Sequence, residues 1–550
     1  MKKTTHHNLL FFFMLLAGFL LRLYLSWRPL MYLDNLFIPD DAYISLKIAK
    51  NIASGLGMTF DGIHLTNGFQ CLYAFLLTPF YFFCADDIIT PIHLALTFSS
   101  LCDMVTLILV YKIVLRLSDK SSALFSSFLW CFSPSIISNT LNGLETSLNV
   151  LLIAACTHFY ITKIREKETV PVYYFILGLL LGFLLLARID SIFFALAVSL
   201  DLLWINRPIA HAIKHKSLLK NIARIAIGGL VILLPWWLTE LYYLQSLIPE
   251  SLKSLQLHLS FRPIFPGWNF FLSLYHLANF PFLTGSSLKF HFFALMASKP
   301  LVAQLIVLTT LFLIIGSLIY GLQRFLKKTT NGNVIFLLIY SLLLFLFYNL
   351  CLPVFWFFKR YYHPIALTIV IYCGLFFFLL SKRWLQNRSK IVKSMCIAIC
   401  YMMISYSFAP SLKLFIWGTP EHTIDKDIFG TKGYYSPAKV AAKTIPQGSR
   451  IGAFQSGAFG YFLNENLVFN LDGKVNLDAL NALHKRRMFE YLKSQDIEYL
   501  IAWDFNLDYF LMQSSQYSKD YISKKLLPIA DLPSQGKQVF RIYKIEQGDP

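Results

Sequence analysis

From residue 8 to residue 408, the chain alternates apolar runs of about 20 residues with short polar loops. A run of that length is enough for one helix to cross the hydrocarbon core of a bilayer. The pattern therefore predicts eleven membrane-spanning helices. They lie near 8–27, 91–115, 121–138, 146–162, 171–187, 190–206, 221–240, 301–323, 333–352, 364–381 and 391–408.

Two apolar segments need separate interpretation. The run 8–27 follows Lys2 and Lys3 as a signal peptide would, but no small-residue cleavage pattern comes after it. We interpret it as a retained span. Segment 69–84 is apolar but short, and Pro79 breaks it, so it either lies along the membrane interface or crosses. That choice fixes the sidedness of every later loop.

Basic residues are concentrated in six of the polar segments. These segments are 2–3, 112–120, 163–167, 207–224, 324–328 and 382–393. With eleven spans they all fall on one side, which the positive-inside rule assigns to the cytoplasm. We therefore predict a cytoplasmic N-terminus. The loops predicted to face outward lie near 28–90, 139–145, 188–190, 241–300 and 353–363.

The composition changes after Phe408. Residues 410–550 carry turn residues and charges of both signs, without a segment long enough to span. Strands are predicted at 450–454, 467–470, 497–503 and 537–545, and a helix at 477–493. Alternating strands and helices are typical of a small α/β domain. We predict a membrane domain at 1–409, whose first outer loop is 28–90, and an extracytoplasmic α/β domain at 410–550.

The overall composition narrows the class of protein. The chain is 56% hydrophobic and 14% charged, which is typical of a polytopic membrane protein. Its net charge of +19 lies mainly in loops between spans, so it reports topology and does not predict a nucleic-acid partner. The nine cysteines lie in or beside apolar runs and imply no disulfide framework.

An acidic pair, Asp40 and Asp41, follows the first apolar run and Pro39. The spacing predicts a helix from this pair to about Ser54, with Tyr43, Lys47 and Asn51 sharing a face with Asp40. One interpretation is that the pair only caps this helix. The other is that adjacent charges beside a membrane perform chemistry, because such charges are costly there.

Further polar sets are predicted at the same outer face. They are Asn67 with Gln70, Glu145 in the loop 142–146, Arg188 with Asp190, and the run Lys359, Arg360, Tyr361, Tyr362 and His363. Each has a structural alternative: Arg188 and Asp190 as an ion pair, Glu145 as a bridge between helices, and Lys359 with Arg360 as an anchor to lipid headgroups. Their convergence at one depth is what a site for a lipid-linked anionic substrate requires.

These segments resemble a known family. Residues 39–77, PDDAYISLKIAKNIASGLGMTFDGIHLTNGFQCLYAFLL, resemble the first outer loop of bacterial GT-C membrane glycosyltransferases, especially the arabinofuranosyltransferase-like and mannosyltransferase-like branches. NGLETSLNVLL, LARIDS and RYYHP are similar to later motifs of that family, in the same order. GAFGYFLNENLVFNLDGKVN is similar to a segment of its outer domain.

The resemblance implies a GT-C fold with about eleven transmembrane helices and assigns roles to matching positions. Asp40 matches the expected catalytic base, and Asp41 its neighbour, assisting acceptor or metal binding. The implied donor-phosphate ligands are Arg188, Arg360, Lys47, Lys50 and Lys359, and the implied substrate-binding residues are Tyr43, Asn67, Gln70, Glu145, Asp190, Tyr361 and His363. Lys47 and Lys50 replace the family's usual arginines, which weakens phosphate binding because lysine lacks the bidentate fork.

We therefore expect an inverting glycosyltransferase of the bacterial inner membrane. It would move a sugar from a polyprenyl-phosphate donor to a glycan, lipid or protein acceptor at the outer face. The chemistry permits a divalent cation but requires no cofactor, and no zinc-type cluster of His and Cys occurs in the sequence. A lipid-linked-sugar flippase or transporter and a non-catalytic envelope assembly protein are the alternatives.

Overall fold

The computed structural model describes most of the chain. The described residues are 2–84, 87–165, 170–205, 212–261, 273, 316, 334–352, 358–385, 387–418, 433–533 and 539–546. The predicted span at 301–323 lies outside them apart from residue 316. The number of spans therefore stays a prediction.

The membrane domain consists of helices. They are α1 (Lys2–Ser26), α2 (Leu30–Leu36), α3 (Asp40–Ala53), α4 (Cys71–Phe83), α5 (Thr90–Leu117), α6 (Lys120–Phe132), α7 (Pro134–Thr140), α8 (Thr146–Phe159), α9 (Pro171–Ala187), α10 (Ile192–Ile205), α11 (Ala212–Leu244), α12 (Glu250–Phe261), α13 (Ile335–Leu346), α14 (Phe358–Tyr361), α15 (His363–Trp384) and α16 (Lys390–Trp417). Short π-helical turns at Tyr160–Arg165 and Phe347–Cys351 extend α8 and α13.

Six helices of the described part of the chain are long and apolar enough to cross a membrane. They are His6–Ser26, Thr90–Leu117, Thr146–Arg165, Leu218–Leu244, His363–Arg383 and Ile391–Trp417. Cys71–Phe83, Pro171–Ala187 and Ile335–Cys351 are shorter apolar helices. At 13 residues, α4 is about 20 Å long, which is less than the roughly 30 Å of a bilayer core. Its length favours the interfacial position for 69–84.

Two predicted spans differ from the structure. The span at 121–138 is two helices, because Pro134 has no N–H to continue the hydrogen-bond ladder and Ser133 has extended backbone angles. The Ser133 hydroxyl accepts a bond from the Ile136 amide at 3.4 Å and so begins α7. The last helix continues to Trp417, past the predicted end at 408, with Pro410 inside it.

The C-terminal domain is built around one mixed sheet. Its strands are β1 (Arg450–Ala453), β2 (Leu467–Asn470), β3 (Tyr499–Trp503), β4 (Leu526–Asp531) and β5 (Phe540–Ile545), in the order β2-β1-β3-β5-β4. β1 pairs in parallel with β2 and β3, whereas β5 is antiparallel to β3 and β4. The predicted α/β class is confirmed.

The helices of this domain are short, and the sequence predicted only one of them. They are α17 (Tyr435–Thr444), α18 (Gly457–Phe462), α19 (Leu477–His484), α20 (Met488–Ser494), α21 (Asp504–Asn506) and α22 (Lys519–Lys525). The helix predicted at 477–493 is thus two helices, separated by Arg486 with a φ of 55°. Strand β4 is absent from the prediction, since Pro528 argues against a central strand; it lies at the sheet edge, where proline is tolerated.

Both faces of the sheet are buried, but against different partners. Phe469, Leu500 and Tyr543 pack on helices α19 and α20 in one apolar cluster. Ile451, Val468, Trp503 and Ile542 belong to another cluster, which also contains Tyr32, Tyr43 and Leu96 of the membrane domain. The two domains therefore share a hydrophobic core.

Hydrogen bonds also hold the segment 28–40 against the end of α16 and against the C-terminal domain. The Tyr32 hydroxyl donates to the Phe415 carbonyl at 2.7 Å, and Arg28 Nη2 donates to the Gly418 carbonyl at 2.6 Å. Asp34 Oδ2 accepts a bond from the Tyr435 amide at 2.8 Å. These contacts fix the C-terminal domain above the first residues of α3, where the acidic pair lies.

Candidate functional site

The acidic pair lies in the first turn of α3, as the sequence predicts. The N-cap position of α3 is occupied by Pro39, in extended conformation. The carboxylates of the two aspartates bind groups outside α3. The interpretation that the pair only caps its own helix is therefore wrong. Because neighbouring residues of a helix point about 100° apart, the two carboxylates face different surroundings.

Asp40 faces the C-terminal domain. Its Oδ1 and Oδ2 accept bonds from the amides of Ala458 and Gly457, at 2.9 and 3.1 Å. Gly457 lies so close that a Cβ there would be 2.1 Å from the Asp40 carbonyl oxygen. Asp40 thus binds the first amides of a helix in the other domain, and its side chain is buried.

Asp41 faces two cations. Arg360 Nη2 lies 2.8 Å from Asp41 Oδ2, and Lys474 Nζ lies 3.2 Å from Asp41 Oδ1. Lys474 also lies 3.2 Å from Oδ2 of Asp472 in its own turn. Arg360 comes from α14 of the membrane domain, so both domains contribute a cation to one carboxylate.

The different surroundings give the two acids opposite pKa shifts. Burial raises the pKa of Asp40 to about 7, aided by the charge of Asp41 and opposed by the two amides. Burial would also raise the pKa of Asp41, but the charges of Lys474 and Arg360 outweigh it and hold that pKa well below its usual range. At neutral pH, Asp41 is a fixed anion, whereas Asp40 can exchange a proton.

A second ion network lies beside the first. Arg188 Nη1 lies 2.5 Å from Glu145 Oε1, and its Nε and Nη2 lie 3.0 and 2.7 Å from the carboxylate oxygens of Asp190. The hydroxyl of Tyr348 also donates to Asp190. Arg188 follows the end of α9 and Glu145 precedes α8, so two predicted outer turns meet here.

Tyr361 joins the two networks. The Cζ atoms of Arg360 and Arg188 lie 5.1 and 5.2 Å from its ring centroid, and the Tyr348 ring stacks on it at 4.6 Å. Both guanidinium groups are within the distance at which a cation interacts with an aromatic ring. We call the joined set the charged cluster. It consists of Asp41 with its neighbour Asp40, Glu145, Arg188, Asp190, Arg360, Tyr361, Asp472 and Lys474.

The remaining predicted residues lie outside the charged cluster. Asn67 Nδ2 donates to Glu240 Oε1 at 3.1 Å, and Asn67 Oδ1 accepts a bond from the Glu250 amide at 3.1 Å, so Asn67 braces two helices. Gln70 precedes α4 without a side-chain capping bond. The Tyr43 hydroxyl donates to Asp34 Oδ1 at 2.7 Å within the interdomain core.

The basic side chains of α3 point to other places. Lys50 Nζ donates to Asn464 Oδ1 of the C-terminal domain at 2.7 Å, at an exposed position. Lys47 is half-buried, and burial, together with the charge of Lys50, lowers its pKa to about 8. His363 is fully buried at the start of α15, with its ring 6.1 Å from that of Trp130. The side chain of Lys359 lies outside the described residues.

Sequence reasoning missed three residues of this region, namely Asp472, Lys474 and Tyr348. In the sequence, Asp472 and Gly473 have the pattern of an ordinary turn, and Lys474 follows them. Only the ion pair between Lys474 and Asp41, across the two domains, shows that this charge lies in the site. Tyr348 lies within an apolar run, where a single hydroxyl gives no signal in the sequence. In the described part of the chain, no group of three or more His, Cys, Asp or Glu side chains is arranged to hold a metal ion.

Comparisons with known proteins match part of the sequence and nearly all of the fold. A family model for dolichyl-phosphate-mannose-protein mannosyltransferase matches residues 91–238, a segment that contains Glu145, Arg188 and Asp190 but not the acidic pair. No curated protein matches the sequence.

Three solved structures have a similar fold. The apo form of ArnT from Cupriavidus metallidurans is 12% identical with a TM-score of 0.55, and the match covers 98% of each chain. ArnT from the same organism bound to undecaprenyl phosphate is 11% identical with a TM-score of 0.54, covering 96% of this chain and 97% of that one. The oligosaccharyltransferase of Archaeoglobus fulgidus, tethered with an acceptor peptide, is 10% identical with a TM-score of 0.52, covering 96% and 74%.

Identities this low establish a fold. The chain is a multi-pass membrane protein with the GT-C fold of membrane glycosyltransferases, followed by an α/β domain. The resemblance stated from the sequence is thus confirmed. The mannosyltransferase family model, which matches residues 91–238, and the fold both favour a glycosyltransferase.

Proposed function

We propose that this protein transfers a sugar from a polyprenyl-phosphate donor to an acceptor in the cell envelope. The observation that carries the proposal is the charged cluster, in which three cations and an acidic pair meet at one end of the apolar helices of a GT-C fold. An anionic leaving group needs cations, and an acceptor hydroxyl needs a base. Both kinds of group lie within this region.

In this proposal, Asp40 and Asp41 have different roles. Asp40, with its pKa near 7, is suited to accept a proton at neutral pH, because catalytic bases work best when their pKa is close to the operating pH. Asp41, held charged by Arg360 and Lys474, is suited to orienting those two cations. Base catalysis of this kind accelerates a reaction by roughly 10²–10⁴.

The reaction step would be a direct displacement. The acceptor oxygen forms a bond to the anomeric carbon as the bond from that carbon to the phosphate oxygen breaks, and the configuration inverts. The acceptor proton passes to Asp40, and the bonding electron pair leaves with the phosphate. Arg360 of the membrane domain lies beside the acidic pair, so we assign stabilisation of the leaving phosphate to it first.

Arg188 has a different part in this scheme. Glu145 and Asp190 bind its guanidinium on two sides and offset its charge. Its contact with Tyr361, which also contacts Arg360, makes it a support for the phosphate-binding side of the cluster. A divalent cation is poorly accommodated beside Asp41, because both of its carboxylate oxygens face cations. The scheme therefore uses no metal ion.

The comparisons support the class of substrates. One matched structure is ArnT bound to undecaprenyl phosphate, and another is an oligosaccharyltransferase tethered with an acceptor peptide. We propose a polyprenyl-phosphate hexose or pentose as the donor and a glycan, lipid or protein as the acceptor. From the positions of the basic loops, we place the protein in a bacterial inner membrane with its N-terminus cytoplasmic and its C-terminal domain in the periplasm.

The test is release of polyprenyl phosphate by the purified protein, offered a panel of polyprenyl-phosphate sugars with candidate acceptors. Asp40→Asn should lower turnover by about 10²–10⁴ if Asp40 is the base. Because Asp40 also binds the C-terminal domain, this variant needs a structural control. Asp34→Asn is matched to it, since Asp34 is also a buried acid that accepts an amide bond from that domain but lies outside the charged cluster.

The two variants separate catalysis from domain docking. We expect both to lower the thermal unfolding midpoint, and Asp40→Asn alone to remove turnover at a temperature where both remain folded. Equal losses of turnover would show that Asp40 acts through docking and would refute its role as base. Lack of any transfer across the panel by the unmodified protein would count against the proposed function itself.

A further inference from the structure

The turn 472–476 of the C-terminal domain is held in place from three directions. The Asp472 carbonyl accepts a bond from the Ser254 hydroxyl at 2.6 Å and lies 3.0 Å from Nε2 of His258, both on α12. Val475 packs with Ile44 and Phe69 in a small apolar cluster beneath α3. These contacts fix the backbone on both sides of Lys474.

Gly68 closes the third side. A Cβ at this position would lie 1.7 Å from the carbonyl oxygen of Lys474, so only glycine allows the first outer loop to approach the turn this closely. Gly68 belongs to the membrane domain and Lys474 to the C-terminal domain, so this contact forms only when the two domains are docked. The contact holds the backbone of Lys474 against the membrane domain.

These contacts therefore hold the Lys474 ammonium between two carboxylates. It lies 3.2 Å from Asp41 and 3.2 Å from Asp472, and its side chain is 21% exposed. Burial in itself would lower the pKa of Lys474, but the charges of Asp41 and Asp472 outweigh burial and hold it well above its usual range. Lys474 is thus a cation at neutral pH.

We propose that Lys474 is a positioning residue, which reaches from the C-terminal domain into the charged cluster and, as a fixed cation, holds the acidic pair of α3 charged and oriented. Docking of the C-terminal domain then completes the site of the membrane domain. The charge of Lys474 lowers the pKa of both Asp40 and Asp41, so it acts on the whole pair. Asp34, Tyr43, His258 and Arg360 also interact with a member of the pair, and Asp472 binds Lys474.

The proposal predicts a pH-dependent defect. Without the cation, the pKa of Asp40 rises above about 7, and less of it is in the base form at neutral pH. Lys474→Met should therefore lower turnover at neutral pH and move the acid limb of the pH–rate profile to higher pH. Turnover should recover at alkaline pH. Lys474→Arg should restore the profile.

The matched control is Lys544→Met, which removes an exposed lysine on strand β5 of the same domain. Its pH–rate profile should coincide with that of the unmodified protein. Gly68→Ala supplies an independent variant that moves the turn without removing a charge, and it should shift the acid limb in the same direction as Lys474→Met. A loss of turnover that is equal at all pH values and not rescued by arginine would overturn the proposal.

The kinetic test rests on the proposed transferase function, so a second readout that needs no turnover is required. Infrared titration follows the protonated-carboxyl band of the folded protein, assigned by its loss in Asp40→Asn and Asp41→Asn. In Lys474→Met this band should appear at a higher pH than in the unmodified protein. An unchanged titration would refute the role of Lys474. A shifted titration without any sugar transfer would support the role of Lys474 and count against the proposed transferase function alone.

Discussion

The two ends of the charged cluster contain the same types of residue but are held in different ways. At the Arg188 end, a guanidinium binds Glu145 and Asp190, and all three lie in loops next to membrane helices. At the Asp41 end, one carboxylate binds Arg360 of the membrane domain and Lys474 of the C-terminal domain. The first network is complete within one domain, and the second exists only when both domains are docked.

Exposure differs between the ends as well. The side chains of Arg188, Glu145 and Asp190 are 5–8% exposed, whereas those of Asp41, Arg360 and Lys474 are 15–21% exposed. A buried network in which one guanidinium bridges two carboxylates is suited to holding helices together. A more accessible network, with a partner from another domain, is suited to contacting substrate. The comparison shows that surroundings, more than residue type, distinguish the two roles.

The largest effect on stability is expected at the buried end. Arg188→Met leaves Glu145 and Asp190 buried without their cation, and removing one partner of a buried pair costs about 3–5 kcal/mol. We expect the variant to lose most of its folded fraction in detergent, measured by thermal unfolding. Arg487→Met is the control, since its ion pair with Glu490 is exposed and should contribute little.

If Arg188→Met instead folded normally and lost only affinity for the donor, the two ends of the charged cluster would not differ in role. Arg188 would then belong with the substrate-contacting cations. Its assignment as a support for Tyr361 and Arg360 would have to be withdrawn.

A smaller effect is expected from pH at the domain interface. Burial raises the pKa of Asp34 to about 7, opposed by bonds from Tyr435 and Tyr43, whereas an unfolded aspartate has a pKa of about 4. The folded protein therefore binds more protons between these values, and the free energy of unfolding falls as the pH rises from about 4 to about 7. The asparagine of Asp34→Asn does not titrate, so the free energy of unfolding of this variant should fall less between about pH 4 and about pH 7.

The measurement is the unfolding midpoint across that pH range for the unmodified protein and for Asp34→Asn. The difference between the two curves isolates Asp34 from other groups that titrate there, including His258 and Glu250. Parallel curves would mean that Asp34 does not change its protonation on folding. The interface would then be insensitive to pH at this position.

The smallest effect is expected at Lys50. Its ammonium donates to Asn464 at an exposed position outside the charged cluster. Lys50→Met should change the KM for the lipid donor by less than about 1 kcal/mol in free energy, the usual size of an exposed polar contact. A larger increase in the donor KM would place Lys50 among the phosphate ligands, as the family resemblance implies, and would extend the substrate-contacting end along α3.

Local patterns in the sequence determined much of this protein. Runs of about 20 apolar residues fix membrane helices, because a backbone in lipid must satisfy its own hydrogen bonds. The turn chemistry before α3 and the alternation of short strands and helices after residue 409 depend on neighbouring residues and are readable in the same way. The outer turns carrying Glu145 and Arg188 were predicted at one face, and the structure joins them directly.

Only the tertiary structure decided which charges meet. Nothing local to Asp40 shows that its carboxylate binds amides of Gly457 and Ala458, and nothing local to Lys474 shows that it reaches Asp41. These partners are more than 400 positions apart in the chain. Ion pairing and burial depend on distances between side chains in space, and those distances are fixed by how the C-terminal domain docks, which hydrophobic periodicity does not specify.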